Sequence, residues 1–573
     1  MIRLLPWLAL VRFALVLSLG WLSAPTLASA STSSGQAAIA TAHPMATAAG
    51  REVLEAGGNA FDAAVAITAA LAVVEPYSSG LGGGGFYLLH EAASGRDLML
   101  DARERAPGQA SRDMYLDEEG NPQPDLSVDG ALAAGIPGIP AALDHLAAGY
   151  GQLPLTASLD PAIRAARDGF EVTEMYRRLA GFREELLAND PGSRTIFLDD
   201  GELPALGHVI RQPDLAEALE RIALEGRDGF YQGDLAGRLV DGVRKVGGIW
   251  CRSDLAGYRV VEREPVVSRF RGFEVVSAAP PSSGGVAIAQ ILNTYGALGR
   301  RAGDLDDLSV IGLHYRVEAM RRAYRDRAEY LGDPDYVDMP LERLTGADYA
   351  AGLAVGISPT DATPSASLAP MFTGPEGPHT THFSVMDAQG NYVAATLSIN
   401  YPFGAGVTVP GTGVLLNDEM DDFSQKPGEP NVYGLIGAEA NAIVPGKRPL
   451  SSMSPTFVRS DDLVGVLGTP GGSRIITMVL GGVLAATSGE SVDQWVTAPR
   501  IHHQYLPDRI EVEPGLLDED QRTELELMGH RIEVNDGFGN MQAVAWWRGE
   551  NRLEAASDPR GEGEAVVLTL GTP

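Results

Sequence analysis

The sequence predicts an α+β fold, and three observations carry the prediction. Two β-rich runs, Thr381 to Met386 and Tyr392 to Ile399, flank the turn cluster Asp387-Ala388-Gln389-Gly390-Asn391, the pattern of a hairpin. Apolar residues recur at helical spacing over 46–56, 60–74, 212–224, 233–246 and 307–331. Late in the chain, a strand-like run from Asp462 to Thr469 meets the turn Pro470-Gly471-Gly472, and Ser473 opens a helix reaching about Thr487.

Residues 1–30 read as a secretory signal. Arg3 and Arg12 precede an apolar run from Phe13 to Leu22, and Ala28-Ser29-Ala30 offers a small-residue cleavage site before Ser31. The expected location is periplasmic or secreted. A retained anchor is the competing reading, but no cysteine follows the run to carry a lipid. No other stretch approaches the roughly 20 apolar residues a membrane span needs.

Residues 46–56 read as a helix closed by Gly57-Gly58, and Asn59 is placed to cap the next, from Ala60 to about Val74. Apolar residues go nearly all round that second helix, as in a buried one. The run Gly82–Gly85 has no Gly-Lys-Ser/Thr after it, so it is not a phosphate loop. Its glycines suit close backbone packing before a strand Phe86–His90. Residues 355–379, rich in Pro, Ser, Thr and Gly, read as a flexible linker, the kind of segment at which a chain is cut.

Composition narrows the function classes. A chain of 573 residues can bury a large core, and its length alone suggests about four domains. The net charge is −31, and becomes −33 once Arg3 and Arg12 leave with the signal. Such a surface argues against nucleic acid or an anionic membrane as partner. Cys251 is the only cysteine, so no intrachain disulfide forms; it reads as a buried, inert thiol without a basic neighbour.

The chemistry centres on His379-Thr380-Thr381-His382-Phe383-Ser384-Val385. A threonine hydroxyl is a poor nucleophile unless a base lies beside it. Cleavage between His379 and Thr380 would give Thr380 a free α-amine, whose pKa of about 7.7–8.0 suits a general base. If Met386 faces Tyr392 in the hairpin, Thr380 faces Ser398, and Thr396, Ser398 and Asn400 share its face. A polar hairpin with one wet face is the plainer alternative. The Gly471-Gly472 turn leaves backbone N–H groups free, as an oxyanion hole requires, although a strand–helix connection of this kind is common. For metals, His379 and His382 would lie on opposite strand faces, and no H-E-x-x-H or C-x-x-C pattern occurs. Neither a catalytic metal nor a cofactor is expected.

The segment Thr380–Val385 resembles the processing and nucleophile motif of the γ-glutamyltranspeptidases. Further blocks resemble the same family in the same order: His43–Thr47, Gly57–Ala64, Leu81–Phe86, Pro280–Gly285, Tyr330–Pro334, Leu416–Ser424, Arg448–Thr456 and Gly471–Ile476. The resemblance covers nearly all of the chain after residue 30. It implies a four-layer αββα sandwich of the N-terminal nucleophile hydrolase type. It also implies one intertwined domain built from a large subunit, 31–379, and a small catalytic subunit, 380–573.

The resemblance assigns roles to residues. Thr380 is the nucleophile, Thr396 supports it and its maturation, and Ser398 stands where threonine is usual. Gly471 and Gly472 supply oxyanion donors. Arg103 is the carboxylate-binding arginine, whose fork suits two parallel hydrogen bonds. Ser451 and Ser452 add hydroxyls to the same carboxylate. Asn400, Glu419 and Asp422 hold the substrate amine, Glu419 standing where some members have glutamine. Tyr433, in a loop from Asn431 to Ile443, would close over the pocket as a lid. The implied reaction is cleavage of γ-glutamyl amides such as glutathione, with transfer to water or to an amino-acid or dipeptide acceptor. Two rivals remain at this level. One is a related acylase or poly-γ-glutamate depolymerase with the same chemistry. The other is an unprocessed secreted binding protein.

Overall fold

The computed structural model describes residues 35–303, 306–368, 380–428 and 437–571. Among these, two antiparallel sheets form the centre. The first has seven strands in the order Glu564–Thr569, Gln36–Thr41, Thr381–Met386, Tyr392–Ser398, Gly84–Glu91, Arg96–Ala102, Val261–Arg263. The second has six, in the order Arg552–Ser557, Gln542–Trp547, Leu463–Gly468, Thr456–Arg459, Phe273–Ser277, Val266–Phe270. In both sheets, strands from before and after residue 380 are hydrogen-bonded neighbours.

Side-chain alternation assigns the layers. Ile39, Phe383, Val385, Val393 and Ala395 point one way, into a core shared with helices Pro44–Glu55 and Ala60–Val74. Ala38, Ala40, Met386, Tyr392 and Ala394 point the other way, against the second sheet. The far face of the second sheet carries helices Gly284–Ala302 and Ile475–Thr487, and helix Val310–Tyr330 packs on the first of these. Helix, sheet, sheet, helix: the αββα sandwich expected from the family resemblance is the fold.

Most sequence-predicted elements appear within a residue or two. Helix Ala60–Val74 is buried along its whole length, as its all-round apolar pattern predicts. Asn59 and Asp62 form a capping box at its start. Asp387, in the hairpin turn, accepts the N–H of Ala60 at 2.8 Å, so one carboxylate ties the hairpin to the helix. The Gly-rich run acts as predicted: a Cβ on Gly82 would lie 1.9 Å from the Leu415 carbonyl oxygen, and one on Gly83 2.2 Å from that of Ser398.

Two expectations need correction. Residues 355–379 are not one free linker. Their first part is pinned: His314 Nε2 contacts the Ser358 carbonyl at 2.8 Å, and Asp508 accepts the Ser365 N–H at 2.7 Å. Residues 369–379, with His379, lie outside the described residues. Cys251 is half-buried rather than buried, because it opens the short helix Arg252–Gly257, and Arg244 Nη1 lies 3.4 Å from its sulfur.

Candidate active site

The hairpin fixes the geometry of the site. Tyr392 pairs with Met386, and the ladder runs on to Leu397 opposite Thr381. One step further sets Ser398 opposite Thr380, the register the turn predicts. Thr380 is buried and lines a small cavity with Ser398, Asn400, Glu419, Asp422, Ser451, Ser452 and Gly472. The cavity measures about 20 Å³, room for about one water molecule. Ser398 Oγ accepts the Asn400 N–H at 2.8 Å, and Asn400 Nδ2 donates to the Asp418 carbonyl at 3.0 Å. Asn400 adopts a left-handed backbone, φ 71°, which turns the chain out of the strand.

Thr396 sits two pairs deeper, opposite His382. Its hydroxyl lies 2.8 Å from His382 Nδ1, and His382 Nε2 lies 3.2 Å from Ser384 Oγ. Ser384 donates its single proton to the Gln542 carbonyl at 3.1 Å, so it accepts from His382 Nε2. His382 Nδ1 therefore accepts the Thr396 proton, leaving the oxygen lone pairs of Thr396 as acceptors. Burial lowers the His382 pKa to about 3, so the ring stays neutral.

The residues expected to bind the acyl end form a compact charge cluster. Arg103 is fully buried; Nη1 contacts Glu419 and Nη2 contacts Asp422. Its Nε donates to the Pro449 carbonyl at 3.2 Å, and Glu104 lies 3.6 Å from Nη1. The carboxylate-binding arginine and two amine-binding acids of the sequence reading are thus in direct contact. Three carboxyls crowd one guanidinium. Burial and the Glu419 charge push Glu104 well above the usual carboxylate range. Burial raises Glu419 to about 7, against the opposing pull of Arg103. Ser452 Oγ accepts from Arg327 Nη2 at 3.2 Å, and Ser451 Oγ accepts the Met453 N–H at 3.1 Å.

The turn after strand Leu463–Gly468 is built on two glycines with positive φ. Gly471 and Gly472 take φ of 141° and 55°, a region open to glycine. Neither donates its N–H to another group among the described residues. Tyr433 lies outside the described residues. The base of its loop is fixed, with Lys447 Nζ donating to the Ala440 carbonyl at 2.7 Å and Asn441 Nδ2 to the Asp422 carbonyl at 2.7 Å.

Three contributors escaped the sequence reading. His382 shares a strand face with Thr380, so period-two alternation could have found it. Glu104 is adjacent to Arg103, but nothing local shows its carboxyl turning back to the same guanidinium. Arg327 comes from a helix whose charged residues carry no face pattern, so no sequence signal points to it.

A buried hydroxyl at the head of a central strand, inside an αββα sandwich, defines an N-terminal nucleophile hydrolase. The family model for γ-glutamyltranspeptidase matches residues 46–568. The glutathione hydrolase proenzyme of Escherichia coli K12 is 43% identical over 532 residues, covering 92% of this chain and 90% of that protein. The crystal structure of a cephalosporin acylase from Bacillus halodurans matches with a TM-score of 0.81 at 28% identity, covering 93% of this chain and 96% of that one. A Helicobacter pylori γ-glutamyltranspeptidase structure matches with a TM-score of 0.55 at 40% identity, covering 57% of this chain and 93% of that one. The chain belongs to the γ-glutamyltranspeptidase family.

Proposed function

We propose that the chain cuts itself between His379 and Thr380 and then uses Thr380 to transfer γ-glutamyl groups. In maturation the Thr380 hydroxyl attacks the His379 carbonyl, the acyl group shifts from N to O, and water cleaves the ester. In turnover the same hydroxyl attacks a γ-glutamyl amide, with glutathione the expected donor. The new α-amine takes the hydroxyl proton and delivers it to the leaving amine. Gly471 and Gly472 N–H groups stabilise the oxyanion; one such donor typically accounts for about 2.7–4 kcal/mol of barrier. Water, an amino acid or a dipeptide then resolves the γ-glutamyl ester. No metal or cofactor enters these steps.

The observation that carries the reading is the meeting of Thr380 with Ser398, Asn400, Glu419, Asp422, Ser451 and Ser452 around one cavity, with Arg103 bonded to two of its acids. A γ-glutamyl end is a zwitterion. Its α-carboxylate can replace Glu419 and Asp422 on Arg103 while its α-amine takes those two acids, so every charge keeps a partner. The glutaryl chain of an acylase substrate lacks the amine and would leave both acids unpaired, which costs several kcal/mol. The large and small fragments would remain one folded unit, exported behind the 1–30 signal to the periplasm or medium. Release of p-nitroaniline from γ-glutamyl-p-nitroanilide against the glutaryl analogue tests the assignment. Faster release from the γ-glutamyl compound, lost in Thr380→Ala, is expected; preference for glutaryl would overturn it.

A further inference from the structure

The Pro280–Gly285 block lies outside the acyl cavity but grips the segment that carries Ser451 and Ser452. The Pro281 carbonyl accepts the Ser451 N–H at 2.8 Å, and the Ser451 carbonyl accepts the Ser283 N–H at 2.8 Å. Ser282 Oγ donates to the Met453 carbonyl at 2.6 Å, and Ser283 Oγ to the Ser451 carbonyl at 2.7 Å. Both serines are fully buried. The segments approach closely: a Cβ on Gly284 would lie 2.1 Å from Ser454 Oγ.

Arg327, on helix Val310–Tyr330, joins the two segments and is buried. Its Nε donates to Ser283 Oγ at 2.9 Å and its Nη2 to Ser452 Oγ at 3.2 Å. Proton counting fixes both directions: an arginine only donates, and Ser283 gives its own proton to the Ser451 carbonyl. Ser452 Oγ therefore keeps its proton, and among the described residues nothing accepts it. Ser452 lines the acyl cavity. Among the described residues no carboxylate pairs with Arg327, whereas Arg103 contacts both Glu419 and Asp422. Burial lowers the Arg327 pKa to about 10, which leaves it charged at neutral pH, and Asp422 and Arg103 are near enough to act on it. A buried charge without a counterion is costly, so this one marks a place that an anion completes.

We propose that Arg327 is a positioning residue for the α-carboxylate of the γ-glutamyl donor. It holds Ser452 as a hydrogen-bond donor toward the cavity and sets a second buried positive charge behind that hydroxyl. The assignment rests on the γ-glutamyl reading of the site. Arg103 meets the carboxylate directly. Arg327 acts through Ser452, so that guanidinium, hydroxyl and carboxylate form one polarised chain of hydrogen bonds. A donor with an α-carboxamide brings no charge to the chain, and its NH2 adds a donor where donors already converge. The grip of Ser282 and Ser283 on residues 451–453 keeps the Ser452 hydroxyl within reach of Arg327, which gives the Pro280–Gly285 block its part in the site.

The test compares γ-glutamyl-p-nitroanilide with its α-carboxamide analogue by initial rates of p-nitroaniline release. The unmutated protein, Arg327→Met and Ser283→Ala are each checked first for two fragments on a denaturing gel. The unmutated protein is expected to prefer the carboxylate donor in kcat/KM by roughly hundredfold. Arg327→Met is expected to lower that preference about tenfold, mainly by raising the KM of the carboxylate donor, and Ser283→Ala about threefold. A general loosening of the fold would slow both donors alike and leave their ratio where it was. A ratio unchanged in Arg327→Met, or in Ser283→Ala if Arg327→Met stays uncut, would overturn the assignment. Absence of p-nitroaniline release from the unmutated protein, or no preference for the carboxylate there, would instead overturn the γ-glutamyl reading beneath it.

Discussion

At the scale of single residues, the site works by removing choices. His382 is held neutral and in one tautomer, so Thr396 has a fixed proton direction. Thr396→Val keeps the shape and deletes the hydroxyl; self-cleavage is expected to slow about tenfold, read as precursor band against time after synthesis. Arg103 balances two buried carboxyls, Glu104 and Glu419, and the half-buried Asp422, and a lysine cannot span two of them at once. Arg103→Lys is expected to raise the donor KM by roughly tenfold to hundredfold, with a smaller change in kcat, in initial-rate measurements on γ-glutamyl-p-nitroanilide.

At the scale of elements, the hairpin was the most legible part of the chain. Its turn residues and alternation set the register, and the register alone put Ser398 opposite Thr380. The helix Ala60–Val74 was legible for a similar reason, since its cap and its all-round apolar pattern are both local. What stayed hidden depends on contacts distant in sequence. Asp508 and Glu318 pin the 357–368 segment, whose composition alone reads as free linker. The contact between Arg103 and the acids 316 and 319 residues away was invisible for the same reason. Gly468 shows how an element serves the site from a distance: a Cβ there would lie 2.3 Å from the His382 ring. Gly468→Ala is expected to cost roughly 1–3 kcal/mol, read as a lower thermal midpoint, and to slow processing as the ring is displaced.

At the scale of the whole molecule, strands from both sides of residue 380 are neighbours in both sheets. A cut at that point severs a covalent link but no sheet ladder. The two fragments are therefore expected to elute as one peak in native gel filtration and to separate only in denaturant. The same packing imposes a pH dependence through Glu75. Unfolded, it ionises near 4.5; folded, near 7. Between those values the folded chain binds more protons, so this group's contribution to stability falls as pH rises from about 4.5 to 7 and is flat above. The loss is on the order of 3 kcal/mol. Glu75→Gln is expected to raise the thermal midpoint, relative to the unmutated protein, more at pH 8 than at pH 4.

The most direct test of the central claim is N-terminal sequencing of the smaller fragment in active protein. The account predicts that it begins Thr380-Thr381-His382-Phe383. Activity in an uncut chain, or a small fragment beginning at another residue, would contradict it.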